Sequence, residues 1–242
     1  QIPACADAGL DRVNFSIFGT TPNELAQVQH TRFRDPAKAA AKIKALHDSI
    51  QACVDHGVRA SANIVVLDHS HIERVHRLLD TYAPELSVRL LNSLDHGQTS
   101  IDAINEVLAQ RGAVAESHHL TAGASGARTT YRIDGERRRI HVKWIRPVRL
   151  PSTCHGCRFN NDTDCQEGFY GLRLYRDRHG RYLIGVCLQR MDLCRPIEDF
   201  LHAPVSTEIL RFRQADRDRL EATHHTPASS TTTHNTEGNP AP

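Results

Sequence analysis

The chain has 242 residues, a formal net charge of +2 and 39% hydrophobic residues. This length can bury one substantial core, or one core with a small appended module. The small net charge and the aromatic content of only 5% argue against nucleic acid as a partner. No apolar run is long enough to cross a bilayer and no signal peptide is visible, so we expect no membrane partner. The expected setting is the cytoplasm, with reduced thiols.

Residues 1–112 alternate between short apolar runs and helical patterns. Strands are predicted at residues 13–17, 60–67 and 86–91. The continuous run 64–67 is typical of a parallel strand covered on both faces. Helices are predicted to begin at Asp35-Pro36, at the capping-box sequence Ser70-His71-Ile72-Glu73, and at Thr99 or Ser100. Strands that alternate with helices at this spacing indicate βα units and a parallel sheet.

The pattern changes after Gly112. A loop is predicted at residues 118–126, and the turn signal Asp134-Gly135 predicts a hairpin between residues 129–133 and 139–145. A second hairpin follows from the runs 170–174 and 182–186, and a helix is predicted at residues 206–220. Residues 221–242 are polar and rich in Thr, Ser and Pro, so we expect a disordered tail. The predicted division is therefore 1–112, 113–220 and 221–242.

The most informative feature is a cysteine cluster in the second part of the chain. Cys154 and Cys157 form a Cys-x-x-Cys pair, followed by Cys165 and by Cys187 on a strand-like run. Two thiolates at this spacing can bind one metal centre from a single turn, and later cysteines can complete the shell. Thiolates select zinc or iron–sulfur clusters, and the spacing alone leaves both open. Cys194 is an alternative to Cys165 as a fourth ligand.

Several segments, in the same order along the chain, resemble radical S-adenosylmethionine (SAM) enzymes. The most similar branch is the GTP cyclase of molybdenum-cofactor biosynthesis and its relatives. The segments are Ala8-Gly9-Leu10-Asp11-Arg12-Val13-Asn14-Phe15-Ser16, Ser61-Ala62-Asn63-Ile64-Val65-Val66, Val88-Arg89-Leu90-Leu91, Tyr131-Arg132-Ile133-Asp134-Gly135, Cys154-x-x-Cys157-Arg158, Leu172-Arg173-Leu174 and Gly180 to Cys187-Leu188. The resemblance covers roughly residues 4 to 200.

The resemblance implies an α/β fold, with the C-terminal half of a radical SAM partial (β/α) barrel. A hairpin-rich C-terminal extension would carry an auxiliary 4Fe–4S cluster. Three cysteines of the family's pattern match Cys154, Cys157 and Cys187, and we expect Cys165 as the fourth ligand. The resemblance places Ser16, Asn63 and Leu94 at the SAM site, and Arg158 and Arg173 at the substrate.

The resemblance also implies what is missing and what the partners are. The family's three-cysteine loop, which binds the SAM-cleaving cluster, has no counterpart here, so we expect a fragment whose N-terminal barrel half is absent. The intact enzyme would use SAM and a reductant such as flavodoxin or ferredoxin. Ser61 stands where the family has a GTP-contacting lysine, so another small, anionic substrate is expected instead. The alternative is a non-catalytic binding module with a structural zinc held by four cysteines.

Overall fold

The structure is a computed structural model that describes residues 1–29, 31–82, 85–133, 135, 137–169 and 171–225. Within these ranges the chain is mixed α/β. The helices are α1 (Ile2–Asp7), α2 (Pro22–Val28), α3 (Pro36–Asp55), α4 (Ile72–Thr81), α5 (Gly97–Gln110), α6 (Ile197–His202) and α7 (Pro204–His225). The strands are β1 (Arg12–Ser16), β2 (Arg59–Val66), β3 (Ser87–Asn92), β4 (Ala113–His119), β5 (Gly126–Ile133), β6 (Arg139–Ile145), β7 (Arg173–Arg176), β8 (Tyr182–Gly185) and β9 (Arg195–Pro196).

The strands form a six-stranded sheet with the order β1-β2-β3-β6-β5-β4 and a three-stranded sheet with the order β7-β8-β9. Strands β1, β2, β3 and β6 pair in parallel, whereas β5 is antiparallel to both β6 and β4. The small sheet is antiparallel throughout. The expected α/β class and the parallel pairing of the first three strands are therefore confirmed.

Helices α3, α4 and α5 cover one face of the large sheet. Ile64, Leu90 and Val142 are neighbours across β2, β3 and β6 and are almost fully buried beneath these helices. The alternate residues of β2 are only half-buried or exposed, and Val65 is 46% exposed. The expectation that β2 is covered on both faces is therefore wrong, because Asn63 is only half-buried and Val65 is exposed on the opposite face of this strand.

A polar row crosses that opposite face. Ser16, Asn63, Arg89, His141 and Thr130 are neighbours in register across β1, β2, β3, β6 and β5. The Arg89 guanidinium donates to Asn63 Oδ1 at 3.4 Å, and the hydroxyl of Thr130 lies 3.1 Å from Nδ1 of His141. We call the side of the sheet that bears this row the open face. The period-two alternation of β2 and β3 thus places the apolar core and this polar row on opposite sides of the sheet.

Both predicted hairpins are present. Strands β5 and β6 pair antiparallel, and so do β7 and β8. Gly135 has a φ of +76°, as the predicted turn requires, while Asp134 lies outside the described residues. The loop expected at 118–126 begins later than predicted, because β4 continues to His119 and pairs with β5.

The expected boundary at residue 112 does not coincide with the division between the two sheets. Strand β6 pairs with β3, so the chain from β4 to β6 completes the large sheet. The second core begins just after β6 and contains Val148, Leu150, Phe169, Val186 and Phe200. At the C-terminus α7 runs to His225, so the first residues of the expected tail are helical. Residues 226–242 lie outside the described residues.

Two predicted helix starts are wrong. A short 3₁₀ turn, His69–His71, precedes α4, and Asp68 rather than Ser70 caps it by accepting from the Ser70 amide at 2.8 Å. Helix α5 begins at Gly97, earlier than the predicted Thr99 or Ser100. Within the described ranges, no helix combines the length and the apolarity needed to cross a bilayer.

Ser100 links α5 to two strands instead of capping the helix. Its hydroxyl donates to the Val66 carbonyl at 2.6 Å and accepts from the Ser93 amide at 2.9 Å, and the residue is fully buried. This side chain therefore satisfies backbone groups at the carboxyl ends of β2 and β3.

We expect Ser100→Ala to lower the free energy of unfolding by about 1–3 kcal/mol, because it leaves two buried backbone groups without that partner. Thr99→Ala, at the exposed neighbouring position, is the matched control and should change stability by less than about 0.5 kcal/mol. Urea unfolding of both variants measures the difference. Equal effects would contradict the role given to Ser100.

Candidate metal centre and the pocket on the open face

Four cysteines line one narrow cavity of about 20 Å³: Cys154, Cys157, Cys165 and Cys187. Cys154 and Cys157 lie in the turn after β6, Cys165 lies in the loop that follows, and Cys187 comes directly after β8. Apolar side chains of the second core form much of the remaining wall. Three separate segments of the chain thus contribute cysteines to the lining of one cavity.

The turn that carries Cys154 and Cys157 is closed by its own backbone. The Cys154 amide donates to the Leu150 carbonyl at 3.0 Å, and the Cys157 amide donates to the Cys154 carbonyl at 3.2 Å. The amide of Leu150 in turn donates to the Cys154 sulfur at 3.3 Å. Amide donors near a thiolate stabilise its negative charge, which is the form that binds metals.

The loop that carries Cys165 is held at several points. Asn161 Oδ1 accepts from the amides of Thr163 and Asp164 at 2.9 and 2.8 Å, and Gln189 donates to the Asp164 carbonyl at 3.0 Å. The guanidinium of Arg149 donates to the Cys165 carbonyl. This loop is therefore anchored both to the turn before it and to the segment that carries Cys187.

Gly168 closes the Cys165 loop against the chain that leaves β6. Its φ is +76°, and a Cβ built there would lie 2.0 Å from the Val148 carbonyl oxygen. On either side of Gly168, the Val148 amide donates to Glu167 O at 2.8 Å and the Phe169 amide donates to Val148 O at 2.9 Å. Only glycine fits this approach of the two backbones.

The two cysteines of the pair differ in their electrostatics. Burial raises the pKa of the Cys154 thiol, and the neighbouring Cys165 and Cys187 add to this effect, although the Leu150 amide opposes it. The pKa of Cys157 is lowered, first by the Phe159 amide and then by Arg190, whose guanidinium lies 3.9 Å from the sulfur. Arg190 also lines the cavity, so a positive charge stands beside the thiols.

The donor set fits a thiolate-bound metal group, although the thiols do not converge on a single point. Among the described residues, no three His, Cys, Asp or Glu side chains are arranged to hold one metal ion. In an iron–sulfur cluster each thiolate binds a different iron, so the four sulfurs need not meet at one ion. The narrowness of the cavity instead suits a single ion such as zinc. In either case the thiols must move on binding.

The remaining cysteines do not line the cavity, although Cys194 is close enough to Cys187 for the two thiols to interact electrostatically. Cys194 is absent from the cavity lining and ends a 3₁₀ turn, Met191–Leu193, with its sulfur against Gly185. Cys53 is fully buried in the core of the large sheet and Cys5 is exposed on α1. Of the two residues considered as a fourth ligand, the structure brings Cys165 to the cavity.

A cleft of about 400 Å³ lies between the large sheet and the cysteine segments. One wall is formed by Asn92 and Leu94, at the carboxyl end of β3, and the other by the Cys165 loop and Cys187. Asn92 forms two hydrogen bonds with Ile145, which brings the ends of β3 and β6 together. In α/β proteins, ligands bind at the carboxyl ends of parallel strands.

Ser16 and Asn63 lie together, apart from Leu94. They line a mainly apolar pocket of about 310 Å³ near the carboxyl ends of β1 and β2, along with the buried His71 and Arg74. Leu94 instead lines the cleft beside the cysteines. The three expected SAM contacts therefore fall in two neighbouring cavities at one edge of the sheet.

The two expected substrate arginines are not part of the cysteine cavity. Arg158 is exposed and its guanidinium lies 4.5 Å from the centre of the Phe159 ring. Arg173 is half-buried on β7, opposite Gly185. Neither residue lines the cavity or the adjoining cleft.

A basic pocket on the open face was not predicted from the sequence. Its volume is about 420 Å³, and its cationic side chains are Arg12, Arg59, Arg89, Arg128 and His141. Arg59 pairs with Asp11 at 2.7 Å. No ion pair in the described part of the chain involves Arg12, Arg89 or Arg128, and Glu85 is the one carboxylate in the lining. The sequence signal for this pocket was the alternation within β3 and within β6. It places Arg89 and His141 opposite the buried residues of their strands, and the register then makes them neighbours.

The charges in this basic pocket repel one another. Burial lowers the pKa of His141, and Arg128, Arg89 and Arg139 lower it further. Burial likewise lowers the pKa of Arg89, with contributions from Arg128 and Arg12, and its buried Nε lacks a hydrogen-bond partner in the described structure. An anion bound here would relieve both effects.

Comparison of the chain with protein-family models, with curated proteins and with solved structures gives no match. The resemblance to radical SAM enzymes therefore stays a prediction, which depends on the segments of this sequence.

We expect the imidazole of His141 to titrate below about 6.5, the value of an unperturbed histidine. The unfolded chain then binds a proton that the folded chain does not, so this residue reduces stability as the pH falls below about 6.5. Arg128→Gln should raise the pKa of His141 because it removes one neighbouring positive charge. Arg176→Gln, exposed on the small sheet, should leave it unchanged. Imidazole NMR titration tests this, and a His141 pKa above about 6.5 would contradict it.

Proposed function

We propose that this chain is the C-terminal part of a radical SAM enzyme, with an auxiliary 4Fe–4S cluster held by Cys154, Cys157, Cys165 and Cys187. The observation that carries the proposal is that these four cysteines line one cavity beside the carboxyl edge of the parallel strands. The large sheet would be part of a (β/α) barrel whose interior is the open face. The strands missing from such a barrel would cover that face in the intact enzyme.

Different residues of this chain would bind the cluster, balance its charge and contact SAM. When bound, the auxiliary cluster supplies electron transfer or a binding point for substrate. The thiolates would hold it, and Arg190 would balance part of the negative charge beside Cys157. Ser16 and Asn63 would contact SAM at the edge of the sheet, with Leu94 on the cluster side. The apolar wall of the second core would keep water from the thiols.

The basic pocket on the open face supports an anionic small-molecule substrate. Arg89 and Arg128 can each offer paired N–H donors to a phosphate or carboxylate, and few carboxylates compete for them. We assign the substrate anion to this pocket in preference to Arg158 and Arg173. The thiols require a reducing compartment, which we propose to be the cytoplasm, and a flavodoxin or ferredoxin as the reductant.

One observation favours the alternative of a structural zinc in a non-catalytic module. The cavity that the four cysteines line is narrow, at about 20 Å³, and four cysteines are a donor set of structural zinc sites. In that case Cys154, Cys157, Cys165 and Cys187 would stabilise the second core, and the basic pocket would be a binding site without catalysis.

Anaerobic reconstitution with iron and sulfide should give brown protein with about four irons per chain. We expect Cys165→Ser to lower the iron content and the visible absorption strongly, because its thiol lines the cavity. Cys194→Ser is the matched control and should retain the cluster, because its thiol packs against Gly185. Iron and sulfide analysis with absorption spectra measures both.

Other results would decide against the cluster. One tightly bound zinc per chain and no colour would establish the alternative. Loss of iron in Cys194→Ser but not in Cys165→Ser would show that Cys194, and not Cys165, is the fourth ligand. No metal of either kind in the reconstituted protein would contradict both versions of the site.

We expect the protein to bind pyrophosphate, used as a probe, in the basic pocket. Arg128→Gln or Arg89→Gln should weaken binding about tenfold or more, since a charge-assisted hydrogen bond contributes about 1.5–3 kcal/mol. Arg176→Gln should have little effect, and added salt should weaken binding to the unaltered protein. Calorimetric titration measures the affinities. Equal affinity in all variants would place the anion elsewhere.

A further inference from the structure

Helix α7 contacts both parts of the chain through the carboxylates of Asp216 and Glu208. Asp216, which is 1% exposed, accepts from the Gly123 amide at 2.9 Å and from Arg146 at 2.7 Å, next to the large sheet. Glu208, more than two turns earlier on the helix, reaches residues 152 and 153 beside the cysteine turn. The helix therefore connects the end of β6 to the segment that carries Cys154.

The contacts of Glu208 are concentrated on the two residues before Cys154. The Thr153 hydroxyl donates to Oε2 at 2.5 Å, and the Thr153 amide lies 3.2 Å from both carboxylate oxygens. The Ser152 amide also donates to Oε1. Three hydrogen-bond donors, from Ser152 and Thr153, thus reach one half-buried carboxylate.

Packing fixes the position of Glu208 itself. Val205, Ile209 and Phe212 pack against the second core, and Glu208 falls within the same face of α7 at helical spacing. Cys154 and Cys187 pack against that same core. The carboxylate is therefore carried by an element that is already docked on the cysteine region.

The carboxylate is ionised at neutral pH. Burial would raise the pKa of Glu208, but hydrogen bonds from Thr153 and Ser152 outweigh it and lower the pKa below its usual value. An ionised carboxylate has only acceptor sites, so it can receive all three donors at once.

From this geometry we propose that Glu208 is a positioning residue for the metal centre. It fixes the backbone of residues 152 and 153, and through them it holds Cys154 at the cavity. The inference depends on the proposed metal site, but it concerns a residue that is outside the cysteine set and does not touch the metal. The thiolates bind the metal. Helix α7 restricts Cys154 before binding, so that less conformational entropy is lost when the metal binds.

Glu208→Gln tests this with little change in shape. The substitution removes the negative charge and replaces one acceptor oxygen with an NH₂ donor. The Thr153 hydroxyl must then accept instead of donate, and the Thr153 amide keeps only one of its two acceptor oxygens. Glu221→Gln is the matched control, because Glu221 is exposed on the same helix and pairs only loosely with Arg217, at 3.7 Å. Both variants are compared at a temperature at which circular dichroism shows them folded.

We expect Glu208→Gln to bind the metal about 10- to 100-fold more weakly than the unaltered protein, and Glu221→Gln to bind it equally well. Retention of iron, or of zinc, against a competing chelator measures the affinity. Glu208→Asp, which keeps the charge on a shorter side chain, should recover part of the loss. Unchanged retention in Glu208→Gln would overturn the proposal.

A second measurement separates this inference from the proposed function. In metal-free protein, iodoacetamide should label Cys154 several-fold faster in Glu208→Gln than in the unaltered chain or in Glu221→Gln, as mass spectrometry can show. If no metal binds but Cys154 is labelled faster, the metal site fails and the positioning role stands. Equal labelling rates in all three proteins would show that Glu208 does not hold Cys154.

Discussion

Helices α3, α4 and α5 lie on the same side of the six-stranded sheet, and this one-sided burial determines which side chains lie on the open face. Because side chains alternate along a strand, burial of Ile64, Leu90 and Val142 places the residues between them on the other side. Those residues include the polar row, with Arg89 and His141 at its centre. Burial of one set of alternate side chains in the hydrophobic core thus places the other set on the open face. That second set includes Arg89 and His141, which line the basic pocket.

The cysteine region depends on how β6 ends. Asn92 is bonded to both the amide and the carbonyl of Ile145, so the chain leaves the sheet at a fixed point beside β3. Val148 and Leu150 then enter the second core within a few residues. The thiols consequently lie at the carboxyl edge of the parallel strands, next to the cleft and to the pocket of Ser16 and Asn63. Two cores and this edge define the candidate metal centre, whereas the basic pocket is a separate part of the open face.

Short-range sequence patterns predicted much of the fold. Strand periodicity and turn residues identified the first three strands and both hairpins, because these signals act over a few residues. The sequence also marked the four cysteines that line one cavity, while their role as metal ligands stays a prediction. Long-range pairings were harder to foresee. The pairing of β6 with β3 joins residues after 112 to the large sheet, and Ser100 is buried against β2 instead of capping a helix. The basic pocket arises only when distant strands come into register.

Gly168 makes the cysteine arrangement recognisable in other chains. Its positive φ and its approach to the Val148 carbonyl allow no side chain, and it stands three positions after Cys165. A chain that shares this thiol arrangement must therefore keep glycine at that spacing, even where the surrounding loop has diverged in length and composition. A Cys-x-x-Gly signature downstream of Cys-x-x-Cys is thus a sharper search pattern for homologues than the cysteines alone.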